Sequence, residues 1–267
     1  MAQKSPSSGY FRNGLPYNRA GNGPNPLVIF QGLMFENKSQ SGMTFGYEFL
    51  AKEYTLYAVL RKPGLPPGYT LKEMADDYAQ MIDQEFGGPV DVIGVSTGGA
   101  LAQHFAADHP GLLRRLVIHS SAHTLGEAGK QIQLEIGHLA QQGRVTQAWQ
   151  AMIQFVLPSA GIWKLLNPSL AWTAARWLSL GKKPDLSDLV ITIETEDQHA
   201  FKDRLSEIKS PTLVIAGVDD PFYTPALFRE TAAGVPHARL VLYEKMRHPA
   251  IGKQFEREAL AFLKETL

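Results

Sequence analysis

The chain has 267 residues, 44% apolar and 19% charged, a composition that fits one large α/β domain carrying an insertion and excludes a disordered chain. Its 26 Lys and Arg balance its 26 Asp and Glu, so electrostatics give nothing to attract nucleic acid or an anionic membrane. It has no cysteine, which excludes disulfides, thiolate metal sites and a cysteine nucleophile. The polar start and the lack of a ~20-residue apolar window lead to the expectation of a cytoplasmic protein with no secretory signal and no membrane span.

Residues 10–21 read as a hairpin, with Asn13-Gly14 supplying two positive-φ positions of a tight turn. The apolar run 27–30 is a buried strand that stops at Gly32, and residues 45–53 suit a short helix. Residues 54–60 form the next strand, ended by a Pro/Gly cluster that runs to Gly68. Thr70 and Glu73 make a capping box for a helix to Phe86, with Leu71, Met74, Tyr78, Met81, Ile82 and Phe86 at helical spacing. Strand 90–95, helix 97–109 and strand 116–119 follow, an alternation that calls for a parallel sheet.

The rhythm then breaks. Residues 123–209 contain no evident buried strand and read as a helical lid, splitting the core into residues 1–122 and 210–267. Strand 212–216, a helix near 225–233, strand 239–243 and a last helix complete the sheet. In that last helix Phe255, Ala259, Phe262, Leu263 and Leu267 share a face.

Gly94-Val95-Ser96-Thr97-Gly98 sits where a strand turns into a helix, the setting of a G-x-S-x-G nucleophile elbow. A serine there occupies a sharply turned backbone, and small neighbours let strand and helix approach. The turn lifts the hydroxyl above the sheet edge and puts the Thr97 amide at a helix N-terminus, aimed at developing negative charge. The glycine order is not that of a dinucleotide fingerprint.

The stretch from Gly94 to Pro110, GVSTGGALAQHFAADHP, resembles the elbow and following helix of α/β-hydrolases of the esterase and lactonase type. The resemblance runs from about Tyr10 to the C-terminus and implies a mostly parallel eight-stranded sheet flanked by helices, a helical cap at the insertion, and a Ser–acid–His triad in that chain order. Of eight histidines, His248 alone falls in the loop between the last strand and last helix, where the family keeps its base. Arg247 stands where the family usually has Gly, and the other seven histidines read as surface or satisfied structural residues. The family pattern G-x-x-D, read from Gly217, selects Asp220 as the acid, with Asp219 as the runner-up. The second oxyanion donor is expected in Gln31-Gly32-Leu33, where the family has His-Gly-x. Leu33 is then the donor beside Thr97, or Met34 if the loop is displaced.

All four tryptophans, Trp149, Trp163, Trp172 and Trp177, lie in the insertion, which suggests a small-molecule substrate with an apolar acyl or aromatic part. The same rings also suit packing among lid helices, and an exposed apolar lid face would suit a homodimer or contact with lipid. The expected function is ester hydrolysis through an acyl-enzyme on Ser96, with no cofactor and no metal. Serine at the elbow argues against haloalkane dehalogenases and epoxide hydrolases, which use aspartate there. Lactonase, thioesterase, carbon–carbon hydrolase and haloperoxidase chemistry stay open, as does a ligand-binding or lyase role on the same scaffold.

Overall fold

The computed structural model describes residues 7–38, 46–157, 161–181 and 184–265. Its eight strands are β1 (Ser7–Tyr10), β2 (Pro16–Ala20), β3 (Asn25–Phe30), β4 (Tyr54–Val59), β5 (Val90–Val95), β6 (Leu113–His119), β7 (Thr212–Gly217) and β8 (Ala238–Tyr243). They form one sheet in the order β1-β2-β4-β3-β5-β6-β7-β8. Only the β1–β2 and β2–β4 pairs are antiparallel. The remaining pairs are parallel, as the strand–helix alternation requires.

The pleat sorts the core strand by strand. In β3, Val28 and Phe30 face a core shared with Met74, Tyr78 and Phe105, whereas Leu27 and Ile29 face one built on Phe255, Ala259 and Phe262. The first core takes α1 (Leu71–Phe86), α2 (Thr97–Asp108) and α7 (Pro225–Gly234), and the second takes α8 (Lys253–Leu263). Both halves of the Thr70–Glu73 capping box form, and Gly87 closes α1 in the left-handed region at φ 64°. Leu267, assigned to the α8 face, lies outside the described residues.

Two local expectations need correction. In the first hairpin Gly14 has positive φ (89°) but Asn13 does not. The Phe11 amide bonds the Leu15 carbonyl, leaving a three-residue loop with glycine last, and the Asn13 side chain is used to hold the Asp77 carbonyl at 2.8 Å. The helix expected over 45–53 is only a 3-10 turn, Glu48–Leu50, because Tyr54 already begins β4; residue 45 lies outside the described residues.

Between β6 and β7 the chain forms α3 (Glu127–Gln141), α4 (Val145–Val156), α5 (Trp163–Ser179) and α6 (Ser187–Asp197). Phe35, Ile136, Ala148, Leu189 and Ile193 give this segment a small core of its own. It covers the end of the sheet at which β5 delivers Ser96.

Candidate active site

Ser96 links β5 to α2 with φ 53° and ψ −126°, a backbone that a non-glycine residue holds only where its surroundings enforce it. The glycines around it allow this. A Cβ on Gly94 would lie 2.7 Å from that of Ala102, and one on Gly98 would run into the Phe30 carbonyl. Ser96 Oγ lies 2.9 Å from His248 Nε2, and His248 Nδ1 lies 2.7 Å from Asp220 Oδ2. The His248 and Asp220 side chains are 7% and 0% exposed. The other Asp220 oxygen accepts the Phe222 and Tyr223 amides at 2.8 and 3.2 Å, which fixes the carboxylate toward the ring. Asp219, by contrast, is exposed.

The loop after β3 comes close to the serine, since a Cβ on Gly32 would stand 3.2 Å from Ser96 Cβ. Thr97 opens α2, where its amide has no acceptor within the helix. The Leu33 amide likewise has no backbone acceptor among the described residues.

A family model described as alpha/beta hydrolase fold matches residues 61–253, most of the chain. The chain belongs to the alpha/beta hydrolase fold family. Among curated relatives, a poly(3-hydroxyalkanoate) depolymerase of Ectopseudomonas oleovorans is 33% identical over 64% of this chain and 59% of its own length, so the chain matches under two thirds of that protein. A 3-oxoadipate enol-lactonase of Acinetobacter baylyi is 24% identical over 86% of this chain and 85% of its own. Of solved structures, an alpha/beta hydrolase from a Medee basin deep-sea metagenome library aligns with a TM-score of 0.79 at 18% identity, covering 98% of both chains.

This alpha/beta hydrolase has a cavity of about 400 Å³ over Ser96 and His248. Its apolar wall includes Leu33, Met34, Met152, Val156, Phe222 and Ile251, with Gln31, Tyr47, His119 and Gln133 as polar members. No Lys, Arg, Asp or Glu among the described residues lines it. Of the tryptophans expected at the substrate, Trp149, Trp172 and Trp177 do not line it. Trp149 stacks flat on Phe35 at 3.7 Å, and Trp172 and Trp177 are 54% and 76% exposed on α5, which packs on α4 away from the cavity. The Trp163 side chain lies outside the described residues.

Three groups around the site were not singled out from the sequence. Arg61, 1% exposed just after β4, donates to the carbonyls of Gln31 and Gly32 at 3.0 and 2.9 Å. It braces the Gln31–Gly32 loop from behind, and burial lowers its pKa. Glu196 of α6 is fully buried, and its Oε2 accepts Thr97 Oγ1 at 2.7 Å and Gln133 Nε2 at 3.1 Å. Burial pushes the Glu196 carboxyl upward, against the hydrogen bonds from Thr97 and Gln133. The sequence signal for Gln133 is a lone polar residue in the buried α3 stripe of Gly129, Ile136, Gly137 and Ala140.

Most of the other histidines follow expectation. His119 is held by the Tyr47 hydroxyl and the Ala250 carbonyl, both at 2.7 Å, and burial pulls it down to about 4. His199 is buried beside His104 at 5.4 Å, and burial lowers it to about 3 against a weak hydrogen bond to the Ala122 backbone.

Proposed function

We propose that the protein is a serine hydrolase that cleaves carboxylic ester bonds, lactones and thioesters included, of a small substrate with an apolar acyl or aromatic part. The observation that carries this is the Ser96–His248–Asp220 chain of contacts, 2.9 and 2.7 Å, opening into an uncharged, largely apolar cavity. In this reading His248 Nε2 takes the Ser96 proton as Oγ attacks the ester carbonyl, then delivers it to the leaving alkoxide. Asp220 holds the ring through Nδ1 and stabilises the imidazolium. The amides of Leu33 and Thr97 receive the oxyanion, each contributing about 3 kcal/mol in the transition state. Water then repeats the sequence on the acyl-enzyme.

The segment over residues 123–209 serves as the cap, and residues 1–122 and 210–267 as the core. The relatives support hydrolysis but spread over polyester and lactone chemistry; the enol-lactonase is named for a dicarboxylate, 3-oxoadipate. The uncharged wall here favours a neutral acyl chain.

The test is hydrolysis of short-, medium- and long-chain p-nitrophenyl esters by the wild type and the Ser96→Ala variant. Turnover that disappears in the variant is expected, with an optimum at short to medium chains from the cavity volume. Equal rates in the two proteins would sink the proposal.

A further inference from the structure

The uncharged wall of the cavity includes Gln133, a residue whose buried side-chain oxygen has no partner among the described residues. Gln133 is 2% exposed and lines the cavity together with Ser96 and His248. Its Nε2 donates to Glu196 Oε2 at 3.1 Å, and its Oε1 has no partner among the described residues. The orientation of the amide follows from its surroundings. Thr97 Oγ1 reaches the same Glu196 oxygen at 2.7 Å, while the Tyr223 hydroxyl stands 3.4 Å from Oε1 of Glu196. With Glu196 ionised, or with its proton on Oε1 beside Tyr223, Oε2 accepts from both Thr97 and Gln133. Gln133 then turns its NH2 to Glu196, and its carbonyl is left as an unfilled acceptor. A leucine would continue the apolar α3 stripe without that cost.

We propose that Gln133 Oε1 is a specificity subsite, and that the acyl portion of the natural substrate carries a neutral hydrogen-bond donor, a hydroxyl or an amide N–H. The inference rests on the ester-hydrolase reading and narrows it. The donor is neutral and the rest of the acyl group uncharged, because no cation among the described residues lines the cavity to meet a carboxylate, and no anion to meet an ammonium group. Glu196 acts here as a positioning residue that fixes the Gln133 amide.

The test uses ethyl hexanoate, its 2-, 3- and 4-hydroxy derivatives and the matching acetamido derivatives, with hydrolysis followed by proton release. At one position the donor-bearing ester is expected to exceed ethyl hexanoate in kcat/KM by at least about tenfold, and the hydroxy and acetamido arms tell the two donors apart. In Gln133→Leu that ratio, taken within each protein so that any general loss of activity cancels, falls to about one. A ratio near one for every wild-type pair, or one that Gln133→Leu leaves unchanged, overturns the subsite while leaving the hydrolase reading intact. If no ester turns over and a fluorophosphonate leaves Ser96 unlabelled, the hydrolase reading fails. The subsite is then decided by calorimetric affinities of the same esters for Ser96→Ala and Ser96→Ala/Gln133→Leu. Equal affinities across each pair of esters reject it, and a donor preference that Gln133→Leu removes upholds it.

Discussion

Replacing Arg61 by Met tests whether the oxyanion loop is held from behind. The guanidinium is fully buried, donates to two successive carbonyls, Gln31 and Gly32, and forms no ion pair with a carboxylate among the described residues. Removing it takes away two charge-assisted hydrogen bonds of about 1.5–3 kcal/mol each and leaves two carbonyls unpaired. It also removes a desolvated cation, a gain that offsets much of that loss, so the net change in stability is about 2 kcal/mol or less. The cost falls on geometry. In the proposed mechanism, the segment from Gln31 to Leu33, freed of Arg61, no longer presents the Leu33 amide to an oxyanion on Ser96, and a lost donor of ~3 kcal/mol lowers kcat about a hundredfold. KM changes little, because the donor acts on the transition state. Arg61→Lys, which can reach only one carbonyl well, should fall between the two. The assay is kcat and KM on p-nitrophenyl butyrate with a calorimetric Tm on the same preparations. A folded Arg61→Met protein that keeps kcat within threefold of wild type refutes the reasoning.

Acid should destabilise the fold through its buried histidines. Burial lowers His119 and His199 from 6.5 to about 4 and about 3, so the unfolded chain binds more protons below pH 6.5 and stability is lost as pH falls from there toward those values. Each accounts for ~2 kcal/mol lost between pH 7 and pH 5, and urea unfolding of His199→Leu should show a pH dependence shallower by that amount; an unchanged slope would argue against a neutral buried ring. At the elbow, Gly98→Ala forces a Cβ into the Phe30 carbonyl and to 2.8 Å from that of Gln31. Loss of fluorophosphonate labelling of Ser96 together with a Tm drop of several degrees is expected, and wild-type labelling at wild-type Tm would contradict that packing.

What the sequence made legible was local or tied to element order. Thr70 and Glu73 announced their helix because a capping box lies within four residues. Ser96 could be placed because a strand, a small-residue turn and a helix meet there in consecutive residues, and His248 and Asp220 because the family resemblance assigns the base and the acid to particular loops after strands. The structure brings these three side chains together. Gln133, Glu196 and Arg61 were missed for the opposite reason: their partners lie 63, 99 and about 30 residues away, and nothing near any of them in the chain marks the pairing. The tryptophans show the limit of composition. An aromatic, carboxylate-poor stretch says that rings will be near one another or at a surface, but not which side of a helix faces the cavity, and the lining fell instead to Met152 and Val156 of α4.

The polar pairings also divide the segment between β6 and β7 into unequal halves. On α6, Asp188, Thr195 and Glu196 share a face by helical spacing, and that face is turned to the core. Asp188 accepts the Gly64 and Leu65 amides at 3.0 and 2.7 Å, Thr195 accepts the Leu71 amide at 3.1 Å, and Glu196 holds Thr97. Lifting α6 would break all of these bonds and strand the buried Glu196, at about 1–3 kcal/mol for each group left unpaired. On the other side α4 meets the cavity through Met152 and Val156, its polar tie to the core among the described residues being the Arg247 side chain on the Phe155 carbonyl at 3.0 Å. α5 packs on α4 and leaves Leu165 79% and Trp177 76% exposed. Apolar contacts slide without orphaning a donor or acceptor. We therefore predict that amide hydrogens on the α4–α5 side exchange faster than those of α6, which holds Thr97 and the Gln133 amide; equal protection of the two sides would contradict this division.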